Sequence, residues 1–230
     1  TFRLALSVTG EYTTYFGGTK ALALAAMNNS MTRVNGVFEK DFAVRMVLVA
    51  NNDLVIYTNA STDPYSPATS LSNWNAQLQS TLTSVIGDAN YDVGHLFGAS
   101  GGGGNAGCIG CVCVNGSKGS GYTSPSNGIP SGDTFDIDYV AHEFGHQFGG
   151  NHTFSMSNEG TGANMEPGSG STIMGYAGIT NQDVQPNSDA YFHAISIQQV
   201  TNNIKNKTQF LKFYSNNKNI GIHSSPIKYY

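Results

Sequence analysis

Ala141-His142-Glu143-Phe144-Gly145-His146-Gln147-Phe148-Gly149-Gly150-Asn151-His152 is the stretch from which the rest of the sequence is best read. On an α-helix His142 and His146, four residues apart, are turned by only about 40°, so both imidazoles leave the same face. Glu143 lies one residue on, beside that pair but offset from it. The opposite face carries Ile137, Val140, Ala141, Phe144 and Phe148, which predicts burial against a sheet. Gly149 stands three residues after His146, where glycine accepts the left-handed turn that ends a helix. Turning there brings His152 back toward the other two histidines.

Two imidazoles so placed can hold one metal ion at about 2.0–2.1 Å each. A third neutral histidine leaves one coordination position open, the arrangement of a catalytic rather than a structural zinc site. A bare H-E-x-x-H is only moderately specific, but the glycine and third histidine at fixed offsets are each uncommon by composition. His142, His146 and His152 are therefore the candidate ligands, with Glu143 beside them but not ligating. His95, His193 and His223 are isolated and read as structural.

Strand-like and helix-like segments alternate before this stretch. Leu4 to Val8 reads as a strand and Thr19 to about Val37 as an amphipathic helix ending near Gly36. Phe42 to Val49 predicts a buried strand, resumed at Leu54 to Tyr57. A helix over Trp74 to Ile86 and a strand over Val93 to Phe97 complete a βαβαβ order, which implies parallel strands with right-handed crossovers. Gly101 to Gly104 lacks the spacing and lysine of a phosphate-binding loop and reads as a flexible loop. Ile109 to Val114 and Gly121 to Thr123 predict short strands. Thr134 to Phe148 is the most strongly signalled helix, with Asp133 or Thr134 as its cap, and Tyr191 to Ile204 is the last. The fold class is α/β (α+β).

Cys108, Cys111 and Cys113 offer too few ligands for a closed zinc site. They predict one local disulfide and one odd thiol; the spacing leaves the pairing open, with Cys108–Cys113 as the expectation.

The 230 residues, 39% apolar and 11% aromatic with 28 glycines in no fixed period, exclude collagen-like and disordered classes. No run approaches the roughly 18 apolar residues of a membrane span. No secretory signal opens the sequence, as expected of a processed form. All 15 acids and 6 of the 11 bases precede residue 201, giving −9, whereas Lys205, Lys207, Lys212, Lys218 and Lys228 give the last thirty residues +5. Five spread lysines without arginine are a thin footprint for nucleic acid, and a solvated tail or linker over 207–230 is the expectation. Asn28, Asn59, Asn115, Asn151 and Asn206 begin N-x-S/T sequons, and a glycan on Asn151 would crowd the metal. Export by a bacterium that leaves sequons bare is the expected origin.

Met174, in Ser171-Thr172-Ile173-Met174-Gly175-Tyr176, stands 22 residues after His152. The long histidine motif followed by this methionine resembles the metzincin clan of zinc endopeptidases, whose methionine turn forms an apolar floor beneath the ligands. Gly149 to Phe154, Glu166 to Met174 and Tyr191 to Ala194 are most similar to bacterial reprolysin-type, adamalysin-related, peptidases. Two departures stand out: Thr153 replaces the Asp usual in animal reprolysins, and Tyr176 sits where astacin-, serralysin- and pappalysin-type enzymes carry tyrosine.

The resemblance implies a metzincin-like domain over 1–206, with a twisted mixed sheet, one antiparallel edge strand and an active-site helix. It divides into an upper part, 1–149, and a smaller lower part, 150–206. It implies one catalytic zinc, with Glu143 taking a proton from the attacking water and Tyr176 available to the tetrahedral intermediate. Substrate would lie along an antiparallel edge strand at Gly107 to Cys113, touching Gly110, Cys111 and Val112. An apolar primed pocket would be walled by Ala177, Gly178 and Ile179. Structural calcium, an inhibitory propeptide in a larger precursor, a monomeric state and secretion belong to the same expectation. The leading reading is a broad endopeptidase. The alternatives are a selective pappalysin-like processing peptidase or toxin, and a zinc-stabilised binding module.

Overall fold

The computed structural model describes residues 1–207; the expectations for Lys212, Lys218, His223 and Lys228 lie outside the described residues. β1 (Phe2–Val8), β2 (Met46–Leu48), β3 (Val93–Phe97), β4 (Gly103–Asn105) and β5 (Gly121–Ser124) form one sheet in the order β2-β1-β3-β5-β4. The first four strands of that order run parallel, and β4 pairs antiparallel with β5 at the edge. This is the mixed sheet of a metzincin-like domain. Leu4 pairs with Val93 and His95 with Gly121, which fixes the register of the three central strands.

β1 is buried on both faces, as a central parallel strand should be. Its alternation sends Phe2, Leu4, Leu6 and Val8 to one side and Ala5 to the other. After α1 (Gly10–Tyr15), α2 (Lys20–Phe42) covers the first side, and α3 (Trp74–Val85) covers the second with Trp74, Leu78 and Leu82. α2 begins at Thr19, whose hydroxyl accepts the Leu22 N–H at 3.3 Å. It passes Gly36 because Val37, Phe38 and Phe42 continue its buried face, which outweighs the roughly 1 kcal/mol that an interior glycine costs. Ala43 then caps it in the left-handed conformation, φ 56°. The strand expected from Phe42 accordingly shrinks to Met46–Leu48. The resumed strand at Leu54 to Tyr57 is instead a 3-10 turn, Asn52–Val55, with only Ile56 bridging to Val8.

Residues 133–148 are helical throughout, as α4 (Asp133–Phe135), a π-helical turn (Asp136–Ala141) and α5 (His142–Phe148). Gly132, rather than Asp133 or Thr134, occupies the N-cap, and no side chain caps it. Asp133 is drawn away by a two-pronged pair with Arg33 of α2, at 2.8 and 2.9 Å. Phe38 of α2 meets Phe42, Phe148 and Phe192 edge-on at centroid distances of 5.1, 5.5 and 5.3 Å, locking α2 to α5 and to the carboxyl-terminal part. α6 (Ala194–Lys205) starts after Tyr191 because His193 is its N-cap, with Nδ1 accepting the Ile195 N–H. No helix among the described residues is long and apolar enough to cross a membrane.

His95 on β3 is fully buried between the sheet and α5. Gln147 donates its Nε2 to the Gly94 carbonyl at 2.8 Å, so its Oε1 faces His95 Nδ1, also at 2.8 Å. That assigns the imidazole proton to Nδ1 and leaves Nε2 to accept from the Thr123 hydroxyl at 2.8 Å. Burial pulls the pKa of His95 down to about 4, which the Gln147 contact only partly opposes. The unfolded chain protonates near pH 6.5, whereas the folded one excludes the proton until about pH 4. Stability should therefore fall as pH drops from about 6.5 and level off near 4. Urea midpoints across this range should show a shallower fall for His95→Leu than for wild type; parallel slopes would refute the assignment.

Candidate active site

The three histidines of the motif come together. His142 and His146 project from α5, and His152 returns on the segment after the helix. Nε2 of His146 lies 3.1 Å from that of His142 and 3.0 Å from that of His152. One nitrogen from each lies within 4.8 Å of the others. Tetrahedral ligands 2.0–2.1 Å from one ion sit roughly 3.3 Å apart, so the donor set fits zinc with little adjustment.

The remaining ring nitrogens fix the tautomers. Nδ1 of His142 donates to the Ile173 carbonyl and Nδ1 of His146 to the Gly150 carbonyl, both at 2.7 Å. Each Nε2 is thereby left as a lone-pair donor to a metal. Burial, then the neighbouring imidazoles, holds the pKa of His142 well below its ordinary value; the same causes bring His146 to about 4. Both are thus neutral, as ligands must be. His152 differs, because its Nδ1 faces both oxygens of the Glu159 carboxylate at 3.0 and 3.1 Å.

Gly149 makes the return of His152 possible. Its φ of 114° ends α5, its N–H reaches the His146 carbonyl, and the Gly150 N–H reaches that of Gly145. Asn203 of α6 donates to the Phe148 carbonyl at 2.8 Å, and Gln199 accepts the Asn151 N–H at 2.9 Å. Met174, wholly buried, lies under Gly145, the residue before His146 on the helix. A Cβ on Gly145 would collide with the Met174 sulfur. Its own carbonyl accepts the Thr153 N–H at 3.0 Å, tying the turn to the residue after His152.

Thr153 stands where animal reprolysins usually carry Asp, yet a carboxylate reaches the place from Glu166. Buried Glu166 accepts the hydroxyls of Thr153 and Thr172 and, at 3.0 Å each, the N–H groups of Ser171 and Thr172. Burial alone would raise its pKa, but these hydrogen bonds hold it below the usual value. Neither Glu159 nor Glu166 carries a spacing signal that would single it out in the sequence.

Glu143 is buried and lines the cavities on both sides of the histidines. Burial pushes its pKa up to about 8, against the pull of the Ala106 N–H. Tyr176 stands beside the site, its ring centroid 4.6 Å from that of His152, and Phe154 stacks on His152 at 4.9 Å. Burial, then the charges of Glu143 and Glu159, pushes the Tyr176 phenol up to about 12, so it is a hydrogen-bond donor at any ordinary pH. Ala177, Gly178 and Ile179 line the cavity of about 430 Å³ that Tyr176 and Glu143 also border.

Gly110, Cys111 and Val112 do not form the edge strand. The N–H groups of Gly110 and Val112 donate to the carbonyls of His146 and Gln147, at 2.8 and 3.1 Å, so this segment is bound to the end of α5. The edge is β4, within the glycine run expected to be a loop. Glycine is required at Gly104, where a Cβ would strike the Glu143 carboxylate. The disulfide joins Cys108 to Cys111, with Cα atoms 5.7 Å apart, and Cys113 is the free thiol. The Cys108–Cys113 expectation fails because Cys113 turns away at φ 63° and donates its N–H to the Asp92 carbonyl.

The sequence model of metallo-peptidase family M12B, reprolysin-like, matches residues 1–204. The chain belongs to that family. It is a zinc-dependent metallopeptidase, acting on protein or peptide substrates. No curated protein matches the chain. Among the described residues the three histidines are the one group of metal-ligating side chains that converges, and structural calcium has no support.

Removing the carboxylate behind His152 should weaken metal binding. In chelator competition Glu159→Ala should hold zinc about 10–100-fold less tightly, with Glu159→Gln in between. Gly145→Ala should cost about 1–3 kcal/mol in urea denaturation. Part of that loss should be recovered when Met174→Ala removes the colliding sulfur; no recovery would separate the two residues.

Proposed function

We infer that this member of the family is a secreted endopeptidase of bacterial origin, made as a precursor with an inhibitory propeptide and acting as a monomer on many proteins. Residues 1–206 would be the catalytic unit, with 1–149 above the site and 150–206 below it, and 207–230 a lysine-rich extension or linker. The observation that carries the catalytic reading is the placement of Glu143, buried beside three converging imidazoles and not directed into their ligand set.

His142, His146 and His152 would hold the zinc ion, which when bound would supply Lewis acidity to the scissile carbonyl and to a water. Glu143 accepts the proton as that water attacks and delivers it to the leaving amine as the carbon–nitrogen bond breaks. Its enclosed position excludes bulk water that would otherwise level its basicity. Tyr176 donates its phenolic hydrogen to the oxygen on which negative charge develops. Substrate lies extended along the outer edge of β4, adding a strand through main-chain hydrogen bonds. Gly103 and Gly104 offer no side chains there to select a sequence, which supports breadth.

A zinc-stabilised binding module would have no use for a buried carboxylate at this place. The test compares wild type with Glu143→Gln at matched zinc content on an unfolded protein substrate. The variant should lose about 10²–10⁴-fold in kcat/KM while keeping its zinc; equal rates would remove Glu143 from the mechanism.

A further inference from the structure

Asp138 is the residue that the peptidase chemistry leaves unused. It sits in the π-helical turn four residues before His142, about one helical turn from it. Its side chain is half-buried and Asp138 lines the cavity of about 430 Å³ that His142 and Glu143 also line. One carboxylate oxygen accepts the Ser188 N–H at 2.8 Å. No lysine or arginine lines the cavity, and among the described residues no cation pairs with Asp138. The neighbouring carboxylate, Asp133, is already paired with Arg33.

The rest of the wall is uncharged away from His142 and Glu143. Tyr139, Ala177, Ile179 and Pro186 give it apolar surface, beside the hydroxyl-bearing Ser126, Thr134 and Ser188. A half-buried carboxylate in a cavity with apolar wall surface suits a side chain with a methylene stem and a cationic head. The stem of a lysine or arginine is long enough to span about one turn of helix, the separation between His142 and Asp138. A leucine there would cover the walls and leave the carboxylate with Ser188 alone and no opposite charge, which is costly for a group partly withheld from water.

We propose that Asp138 makes this cavity a receptor for a basic side chain, so that the enzyme prefers to cleave on the amino side of lysine or arginine. This rests on the peptidase reading above, in which the walls at Ala177 to Ile179 belong to the first primed position. Breadth toward proteins remains, because the main chain is still read along β4; the purely apolar pocket expected from the resemblance does not.

The test uses matched peptides differing only in lysine, arginine, leucine or glutamate after the scissile bond. Zinc-loaded wild type should cleave the basic peptides with kcat/KM about 10–100-fold above the leucine peptide. Asp138→Asn should bring that ratio close to one, Asp138→Glu should restore most of it, and Asp138→Lys should favour the glutamate peptide. Affinities of the same peptides for zinc-loaded Glu143→Gln, by fluorescence anisotropy, should rank identically and change identically when Asp138→Asn is added. A ratio near one in wild type, or one that Asp138→Asn leaves unchanged, overturns the proposal. Should wild type cleave nothing, the peptidase reading falls, and the affinity ratio still decides whether Asp138 recognises a cation.

Discussion

Three imidazole nitrogens can share one small cation only if the chain that carries two of them on a helix reverses within a single turn. The reversal at Gly149 is the constraint on which the rest of the site depends. It is held from three sides: by the helix's own last carbonyls, by Asn203 and Gln199 of α6, and by the Gly110 to Val112 segment bound to the carbonyls of His146 and Gln147. Each contact satisfies a backbone group that a helix end leaves without a partner. The elements that look peripheral in the chain are therefore the ones that terminate α5 where His152 needs it to end.

A second set of constraints acts along the helix rather than at its end. β3 grips α5 through His95 and Gln147, α2 through the Phe38 aromatic cluster, and the Met174 turn through its fit against Gly145. The helix is thus fixed in rotation and in height, which is what a ligand set with distances of about 3 Å requires. Glu166 does for the segment after α5 what the sheet does for the helix, drawing Thr153, Ser171 and Thr172 onto one carboxylate so that Met174 is presented at a fixed depth.

The sequence was informative where one element carries the whole pattern. His142, His146 and Gly149 are related by helical geometry alone, and the order of strands and helices before them follows from runs of apolar residues in β1, α2, α3 and β3. Legibility failed where partners lie far apart in the chain. Glu159 behind His152, Glu166 beneath the methionine turn and Asn203 at the end of α5 leave no periodic trace. β4 is not legible in the sequence because glycine has little intrinsic preference for strands, and its role there comes from the closeness of Glu143. The pairing of Cys108 with Cys111 was missed because the left-handed turn at Cys113 is invisible in spacing.

β4 has a consequence for what the enzyme can act on. A chain that pairs with an edge made of Gly103 and Gly104 gives its own N–H and C=O groups to that edge, and groups already committed to a helix or an interior strand are not free to do so. Cleavage of a native protein would then track the rate at which short stretches of it open, and resistance would be a property of the target's local cooperativity more than of its composition. Such an enzyme would read out the weakest-folded segments of the proteins around it.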